Sequence, residues 1–260
     1  MTKNLRELIA LLPGAEREGL LDRTITQITY DSRQVGPGSL FIALSGSKVD
    51  GHDYVANACR QGAVAVLVEK DVADASDATV IKVADTRAAM QVITPWFFDY
   101  PSRKLRMIGI TGTNGKTTTT HIVRAILMRA GFKVGLIGTI HSLIGDKVLP
   151  VKNTTPDVVD LQALLAEMVK EKVDYVVMEV SSHALALGRV SGTEYDVGVF
   201  TNITRDHLDF HLTFDNYIDA KAERFRLVSA PDAAKQGKAA GVNIDDPAGS
   251  VMLDNCQCRS

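Results

Sequence analysis

The 260-residue chain has the composition of an ordinary globular protein, with 45% hydrophobic and 23% charged residues. Its formal net charge of −2 argues against a basic nucleic-acid-binding surface, so no nucleic-acid partner is expected. No apolar run reaches the roughly 18 residues of a membrane span, and the N-terminus has no signal-peptide core, so no membrane association is expected. The three cysteines form no disulfide framework, which favours a reducing cytoplasm.

The first hundred residues are typical of a small mixed α/β domain. Apolar periodicity predicts a short amphipathic helix within 1–12, strands at 24–30, 39–44, 63–68 and 80–83, and helices at 54–61 and 86–98. A polar stretch at 101–104 begins with proline and precedes a strongly apolar segment. We therefore expect a domain boundary there, with domains at residues 1–103 and 104–260.

From residue 105 onward, strands and helices alternate regularly. The pattern predicts strands at 105–110, 133–138, 174–179 and 196–201, and helices at 119–130, 158–172 and 217–228. Such alternation predicts a doubly wound, mostly parallel sheet with helices on both faces, which binds ligands at the carboxyl ends of its strands. After a late strand and turn at 242–247 no further element is expected. The central domain therefore reads as incomplete, and the chain as a piece of a longer protein.

The run GITGTNGKTT, from Gly109 to Thr118, carries the clearest functional signal. It lies between a predicted strand and a predicted helix, where backbone N–H groups and the helix N-terminus can bind phosphate. Lys116 would neutralise phosphate oxygens, and the Thr117 hydroxyl would hold Mg²⁺. The usual pattern G-x-x-x-x-G-K-[ST] has glycine where this chain has Ile110, so an ordinary glycine-rich turn is the alternative. The position of Lys116 at the helix start favours nucleotide binding.

A second group of reactive side chains follows the later strands. Glu179 ends one strand and precedes Ser181-Ser182-His183, and Asp206-His207 follows the next strand. Phosphoryl transfer needs ligands for Mg²⁺ near the γ-phosphate, and Glu179 suits that role. The serines and Asp206 equally fit helix caps, as Asp157 does before the helix at 158. A Ser/His/Asp triad is disfavoured because the chain lacks a Gly-x-Ser-x-Gly elbow.

Together these runs resemble the Mur ligase family. The matching central runs are Thr111–Thr118, Asn153–Thr155, Glu179–His183, Thr201–Asn202 and Asp206–Asp209. Upstream, Asp31–Ala43, Gly46 and Asp50–His52 resemble the UDP-sugar-binding domain of the MurE and MurF types. The Glu-Val-Ser-Ser-His run favours the MurE type. The family's own phosphate loop is Thr-Gly-Thr-Asn-Gly-Lys-Thr, which accounts for Ile110.

The resemblance implies an ATP-dependent ligase of peptidoglycan precursor synthesis that requires ATP and Mg²⁺. Such an enzyme adds meso-diaminopimelate or L-lysine to UDP-N-acetylmuramoyl-L-alanyl-D-glutamate through an acyl phosphate. Residues 1–103 would then bind the UDP-sugar, and residues 104–260 would form an ATP-binding central domain that lacks the C-terminal domain. The family resemblance also favours a monomer.

The resemblance assigns roles residue by residue. The ATP phosphates would contact Gly112, Thr113, Asn114, Gly115, Lys116, Thr117 and Thr118. The catalytic residues would be Lys116, Glu179, His207 and Lys221. Magnesium would be held by Thr117, Glu179, His207 and, once carbamylated on its amine, Lys221. The UDP-muramoyl-dipeptide would contact Asn153, Thr154, Thr155, Ser181 and Arg189, and its uridine end would contact Tyr30, Ser32, Ser47, Lys48 and Val49.

Two other interpretations stay open. One is a related amide ligase of the MurF or folylpolyglutamate-synthase type. The other is a non-catalytic module that keeps only nucleotide-sugar affinity, because nothing after residue 247 resembles the amino-acid-binding third domain of these ligases. Closure of that domain completes the site, so the chain alone is expected to bind weakly and catalyse little. The sequence does not distinguish diaminopimelate from lysine as the added amino acid.

Overall fold

The computed structural model describes residues 1–46, 49–75, 77–151, 153–206, 208–229 and 234–256, without the side chains of 208, 224 and 227–229. The chain divides into two compact units, Met1–Asp99 and Tyr100–Ser260. Among the described residues, no helix is both long enough and apolar enough to cross a membrane.

The first unit is a mixed α/β fold. Its strands are β1 (Lys3–Asn4), β2 (Glu16–Glu18), β3 (Thr24–Ile25), β4 (Gln27–Thr29), β5 (Ser39–Ile42), β6 (Ala63–Val68) and β7 (Thr79–Lys82), and its helices are α1 (Leu5–Ala10), α2 (Val55–Arg60) and α3 (Thr86–Phe97). Short 3₁₀ turns occur at Ser32–Gln34 and Gly51–Tyr54. A sheet of order β2-β7-β6-β5-β4 is parallel except for β2, and β1 pairs with β3 separately.

The single strand predicted at 24–30 is wrong, because the segment divides between the two sheets of this unit. At Thr26 the backbone N–H donates to Gly38 O at 2.9 Å and the hydroxyl donates to Pro37 O at 3.2 Å. Since these bonds draw Thr26 toward a neighbouring turn, β3 pairs with β1 and β4 pairs with β5. The alternation of apolar and polar residues continues where the chain passes from one sheet to the other, so the sequence pattern does not reveal the change of partner strand.

The second unit contains a seven-stranded sheet. Its strands are β8 (Arg106–Thr111), β9 (Val134–Ile137), β10 (Ser142–Ile144), β11 (Lys147–Leu149), β12 (Tyr175–Glu179), β13 (Val197–Phe200) and β14 (Ala239–Val242). Its helices are α4 (Lys116–Arg129), α5 (Val158–Lys170), α6 (Ser182–Ala186), α7 (Leu208–His211), α8 (Phe214–Ser229) and α9 (Gly249–Asp254), and Pro101–Lys104 is a 3₁₀ turn. The order is β11-β10-β9-β12-β8-β13-β14, in which β9, β12, β8, β13 and β14 run parallel. The prediction of a mostly parallel sheet is confirmed.

Helices cover both faces of this sheet, as the alternation predicts. On one face, Leu161 and Leu165 of α5 pack in a buried cluster with Met107, Ile137 and Met178 of three adjacent strands. On the other face, α4 packs against Ile110, Val134 and Val177. The strands at the centre of the sheet are therefore buried, and their carboxyl ends form a fixed edge on which loops can be positioned.

Two elements of the second unit lie outside the predictions. Strands β10 and β11 form an antiparallel hairpin around Gly145, which has φ +59°, and their three-residue length gives almost no periodic signal. Helix α9 follows residue 247, so the expectation that no element follows is wrong: Met252 is fully buried in a cluster with Phe200 of β13. Cys59 is a free cysteine, whereas Cys256 is disulfide-bonded.

Candidate active site

A polar cavity of about 630 Å³ lies at the carboxyl ends of β8, β9 and β12. It is lined by Thr113, Asn114, Gly115, Lys116, Thr117, Thr118, Thr139, Asn153, Thr154, Thr155, Glu179, Ser181, His183 and Arg189. This set unites the phosphate-loop run with Glu179 and with the polar segment 153–155. Parallel strands bring these side chains together because their carboxyl ends share one edge of the sheet.

The loop between β8 and α4 has a backbone that needs glycine at two positions. Gly112 has φ +154°, and a Cβ atom there would lie 1.9 Å from the Thr201 hydroxyl oxygen. Gly115 has φ +83° and precedes α4 without a side-chain cap. The first helical hydrogen bond runs from Thr119 N–H to Gly115 O, so the N–H groups of 116–118 have no acceptor within the helix. They form the kind of helix start that binds anions.

The residues after β13 hold this loop from the side. Asn202 accepts from Thr113 N–H through its carbonyl oxygen at 2.9 Å and from Asn114 N–H through its side chain at 3.0 Å. Its side-chain amide donates to Asn114 O at 3.1 Å, and the Thr201 hydroxyl donates to the same oxygen at 2.7 Å. Thr201 and Asn202 therefore order the loop, and the donors left to face an anion are those at the start of α4.

Lys116 is folded over its own loop. Its Nζ donates to Gly112 O at 2.8 Å and to Thr113 O at 2.9 Å. Burial lowers the pKa of this ammonium, while the charges of Glu179 and Asp206 act in the opposite direction. The ammonium is thus held against the carbonyl oxygens of its own loop, where it could contact a phosphate group bound there.

Glu179 is a buried carboxylate, 1% exposed, at the end of β12. Its Oε2 accepts from the Thr117 hydroxyl at 3.0 Å and from the Thr139 hydroxyl at 3.1 Å. Its Oε1 accepts from Thr139 N–H at 3.0 Å. Hydrogen-bonded burial of this kind fixes the direction of a carboxylate, which here lies directly beside the first turn of α4.

The segment 153–155 is joined to the residues after Glu179. Thr155 is 1% exposed; its hydroxyl donates to Glu179 O at 3.0 Å and accepts from Ser181 N–H at 3.1 Å. Ser181 caps α6 by accepting from Ala184 N–H at 3.2 Å, and Asp157 caps α5. The cap roles expected of Ser181 and Asp157 are therefore real, and Ser181 lines the cavity as well.

Arg189 brings a guanidinium to the same cavity. Its Nε lies 3.9 Å from Asp157 Oδ2 and is a buried nitrogen that makes no hydrogen bond within the described residues. Asn153 is exposed and Thr154 is half-buried at the cavity wall. The Arg189 guanidinium and a set of amide and hydroxyl groups thus line the same cavity as Lys116, an arrangement suited to an anionic, polar ligand.

Lys221 of α8 is 1% exposed, although its sequence context suggests a solvated lysine. Its Nζ lies 4.4 Å from the centre of the Tyr217 ring, and the Tyr217 hydroxyl is 3.0 Å from the Thr113 hydroxyl of the phosphate loop. Burial, and next the charge of Lys116, lower the pKa of Lys221 to about 7, against the opposing charge of Asp206. Near neutral pH a large fraction of this amine is therefore uncharged. Lys221 does not line the cavity.

The donor set near Thr117 fits a hard divalent cation. The Thr117 hydroxyl and the Glu179 carboxylate provide oxygen ligands 3.0 Å apart, which is the ligand chemistry that Mg²⁺ prefers. Within the described part of the chain, no group of three or more His, Cys, Asp or Glu side chains could hold a metal ion by itself. Because Mg²⁺ commonly keeps waters and binds through one or two protein oxygens plus phosphates, this set is compatible with it.

Several expected site residues lie elsewhere or outside the described residues. Tyr30 and Ser32 are half-buried and Val49 is exposed in the first unit. The loop that contains Val49 is closed by a 3.0 Å bond from Gly46 N–H to Val49 O. Ser47, Lys48 and His207 lie outside the described residues.

The sequence analysis missed Gly138 and Thr139, which follow β9. A Cβ atom at Gly138 would lie 2.4 Å from Glu179 Oε1, and Thr139 supplies two donors to that carboxylate. The signal that could have found them is their position at the end of the strand predicted at 133–138, which shares this edge of the sheet. The Ser/His pairing that does occur, Ser182 Oγ to His211 Nε2 at 2.9 Å, is buried and joins α6 to α7.

Known proteins resemble the chain along its whole length. A protein of Caldanaerobacter subterraneus subsp. tengcongensis, named UDP-N-acetylmuramoyl-L-alanyl-D-glutamate--2,6-diaminopimelate ligase, is 46% identical over 250 residues, which cover 95% of this chain and 50% of that protein. A solved structure of a ligase with the same name is 27% identical with a TM-score of 0.80, over 100% of this chain and 52% of that one. MurF from Acinetobacter baumannii shares the fold, at 21% identity and a TM-score of 0.70, over 99% and 52% of the two chains. The chain thus spans about half the length of the relatives it matches.

Two family models match consecutive parts of the chain. The Mur ligase middle domain matches residues 110–260, which include the phosphate loop, Glu179 and Lys221. The model described as the Mur ligase family, catalytic domain, matches residues 24–95. Because the middle-domain match alone takes in more than half of the sequence, the chain belongs to the Mur ligase family.

Proposed function

We propose that the intact protein is an ATP-dependent amide ligase of peptidoglycan precursor synthesis. It would join 2,6-diaminopimelate to UDP-N-acetylmuramoyl-L-alanyl-D-glutamate, with L-lysine as the alternative amino acid. The observation that carries this proposal is the juxtaposition of Lys116, Thr117 and Glu179 at one helix start. The names of the relatives support diaminopimelate over lysine, and the MurE type over the MurF type.

In this proposal residues 104–260 bind ATP. The N–H groups at the start of α4 and the Lys116 ammonium would hold the phosphates, while Asn202 keeps the loop in shape. Thr117 and Glu179 would hold Mg²⁺, together with His207. When bound, the ion would neutralise charge on the γ-phosphate and on the substrate carboxylate.

The reaction follows from the weak electrophilicity of a carboxylate. An oxygen of the D-glutamate carboxylate would attack the γ-phosphorus, and the bond to the β–γ bridging oxygen would break, releasing ADP and leaving an acyl phosphate. The incoming amine would then attack the acyl carbon and lose a proton, and inorganic phosphate would leave. Lys116 would stabilise the charge on the transferred phosphoryl group, and Glu179 would keep its position through its three donors.

The muramoyl-dipeptide is proposed to contact other residues that line the cavity. Arg189 would pair with a substrate carboxylate, and Asn153, Thr154, Thr155 and Ser181 would bind the muramoyl-dipeptide. Tyr30, Ser32, Ser47, Lys48 and Val49 of the domain at 1–103 would contact the uridine end. We further propose that the protein acts as a monomer in the cytoplasm, where it would serve cell-wall growth and division.

Lys221 is proposed to act as a carbamate. Its uncharged amine, favoured by a pKa of about 7, would attack CO₂, form a C–N bond and release a proton, so that a cation becomes an anion. A carbamate could join the magnesium ligands, whereas an ammonium would repel the ion. ¹³C NMR after addition of ¹³C-bicarbonate should give a carbamate signal that Lys221→Met lacks and that Lys170→Met, which changes an exposed lysine of α5, retains.

Two measurements test the proposed function. Isothermal titration of the 260-residue chain should detect binding of ATP with Mg²⁺ and of UDP-muramoyl-dipeptide. A longer version of the protein should release phosphate from ATP only when UDP-muramoyl-dipeptide and diaminopimelate are both present. Release with UDP-muramoyl-tripeptide instead would favour a MurF-type ligase, and binding of the sugar nucleotide without ATP would favour a non-catalytic module.

A further inference from the structure

We propose that Thr139 is a positioning residue that fixes the Glu179 carboxylate beside the phosphate loop and couples it to Thr154. This inference rests on the proposed function, in which Glu179 holds Mg²⁺ and Thr154 contacts the muramoyl substrate. Thr139 lines the same cavity as both residues.

One residue supplies most of the hydrogen bonds that hold Glu179. Among the described residues, Thr139 provides two of the three donors to this carboxylate, N–H to Oε1 at 3.0 Å and hydroxyl to Oε2 at 3.1 Å. Thr117 provides the third, at 3.0 Å. Because Thr139 contacts both oxygens, it fixes the rotation of the carboxylate plane as well as its position.

The directions of the hydroxyl hydrogen bonds link Thr154 to Glu179 through Thr139. Thr139 Oγ1 lies 3.1 Å from Glu179 Oε2 and 3.1 Å from Thr154 Oγ1. A hydroxyl carries one proton and an ionised carboxylate can only accept, so the Thr139 proton points to Glu179. Thr154 must then be the donor in its contact with Thr139. Thr154, which would contact the muramoyl substrate, is thereby linked through the Thr139 hydroxyl to Glu179 Oε2, the oxygen that also accepts from Thr117.

The residue before Thr139 leaves space for the Glu179 carboxylate. At Gly138 a Cβ atom would lie 2.4 Å from Glu179 Oε1 and 3.3 Å from the carboxylate carbon. Gly138 therefore leaves space for the carboxylate, and Thr139 orients it through two hydrogen bonds. Thr139 itself is exposed to the cavity, so a substitution there should leave the core of the sheet intact.

The experiment measures affinity for a non-hydrolysable ATP analogue, AMP-PNP, by isothermal titration of the 260-residue chain with Mg²⁺ and again with EDTA. Thr139→Val keeps the N–H but removes the hydroxyl, and should weaken the Mg²⁺-dependent affinity about fivefold. The affinity in EDTA should not change, because the phosphate loop itself is untouched. Thr139→Ser restores the hydroxyl and should bind within about twofold of wild type.

Thr154 provides a test of the coupling. Thr154→Val should lower Mg²⁺-dependent AMP-PNP affinity in the wild-type background and have no further effect in the Thr139→Val background. The matched control is Thr94→Val, which removes a buried hydroxyl of the first unit that makes no hydrogen bond to the residues that the structure describes. It should bind AMP-PNP as wild type does. Circular dichroism spectra check that each variant is folded, and Thr139→Ala serves as a second hydroxyl-free variant.

The outcomes separate the two proposals. Wild-type Mg²⁺ affinity in Thr139→Val and Thr139→Ala, an equal loss in Mg²⁺ and in EDTA, or a Thr139→Ser variant as weak as Thr139→Val would each overturn the role of Thr139 alone. Additive effects of Thr139→Val and Thr154→Val would overturn the coupling. Absence of AMP-PNP binding by the wild-type chain would overturn the proposed ATP site of residues 104–260 and, with it, this assignment.

Discussion

The Thr117 hydroxyl, in the first turn of α4, donates a 3.0 Å hydrogen bond to the carboxylate of Glu179 at the end of β12. The two residues are 62 positions apart in the sequence. They meet because β12 pairs in parallel with β8, with Glu179 opposite Ile110, and α4 begins shortly after β8 ends. Two oxygen ligands for a cation are thus held beside a lysine by the pairing of two buried strands.

Lys116→Met should weaken ATP binding by about tenfold to a hundredfold, because it removes the ammonium that would pair with the phosphates. Isothermal titration with ATP and Mg²⁺ measures the effect. Lys170→Met, at an exposed position in the last turn of α5, is the matched control and should bind ATP normally. Equal ATP affinity in the two variants would refute the phosphate-loop assignment.

Gly138→Ala should displace the Glu179 carboxylate, because the new Cβ would lie 2.4 Å from Oε1. We expect a stability loss of about 1–3 kcal/mol from overpacking, together with a weaker response of ATP affinity to Mg²⁺. Urea unfolding and titration at several Mg²⁺ concentrations measure the two effects. Gly36→Ala is the control, since a Cβ at Gly36 would lie within 4 Å of no atom in the described structure. A wild-type Mg²⁺ response in Gly138→Ala would show that the position of the Glu179 carboxylate does not depend on the space at Gly138.

Asn202→Ala should lower ATP affinity although Asn202 itself is not expected to touch the nucleotide. The variant loses the side-chain bonds to Asn114 N–H at 3.0 Å and Asn114 O at 3.1 Å, so the phosphate loop is held less firmly. Each lost bond should cost about 1 kcal/mol of unfolding free energy. Urea unfolding and ATP titration provide the measurements.

The control for Asn202 is Asn57→Ala, which changes a half-buried asparagine of α2 in the first unit. It should leave ATP affinity unchanged. If Asn202→Ala lost stability but kept full ATP affinity, the loop would not depend on this support.

Lys221→Met should flatten the pH dependence of stability between about pH 7 and 10. Burial, helped by the charge of Lys116, lowers the native pKa of Lys221 from 10.5 to about 7. Within that window the unfolded chain binds a proton that the native chain does not, so the free energy of unfolding rises with pH, and the cost of burying the charge is greatest below pH 7. The methionine variant avoids that cost and should be more stable than wild type at pH 6.

Urea unfolding at several pH values, without added bicarbonate, measures this slope. Lys170→Met should keep the wild-type slope because its lysine is exposed. A wild-type slope in Lys221→Met would show that another group titrates in this range.

The parts of the fold that could be predicted from sequence are those with a strong local pattern. The apolar run of β6 occupies residues 63–68 as predicted, and α4 begins at Lys116, where the glycine-rich run ends. Glu179 could be placed near the loop because two parallel strand ends must share an edge. These inferences need only periodicity and the rules of parallel sheets.

Other parts depend on packing that a linear pattern does not contain. Thr139 is one threonine among many, and its contact with Glu179 depends on the register of β9 against β12. Lys221 looks solvated in the sequence, yet it lies four residues from both Tyr217 and Phe225, which are fully buried. These three residues are spaced four apart and so lie on one face of α8. That spacing was the sequence signal that Lys221 is buried. Helix α9 was missed because its six residues are too few to establish a period.

The hairpin of β10 and β11 has a consequence for the behaviour of the protein in solution. It ends one side of the central sheet with a strand of only three residues, which carries the exposed, charged Lys147. Long, flat, uncharged edge strands can pair with strands of other molecules, whereas short, charged edge strands disfavour such pairing. This edge of the sheet is therefore protected against aggregation by intermolecular strand addition.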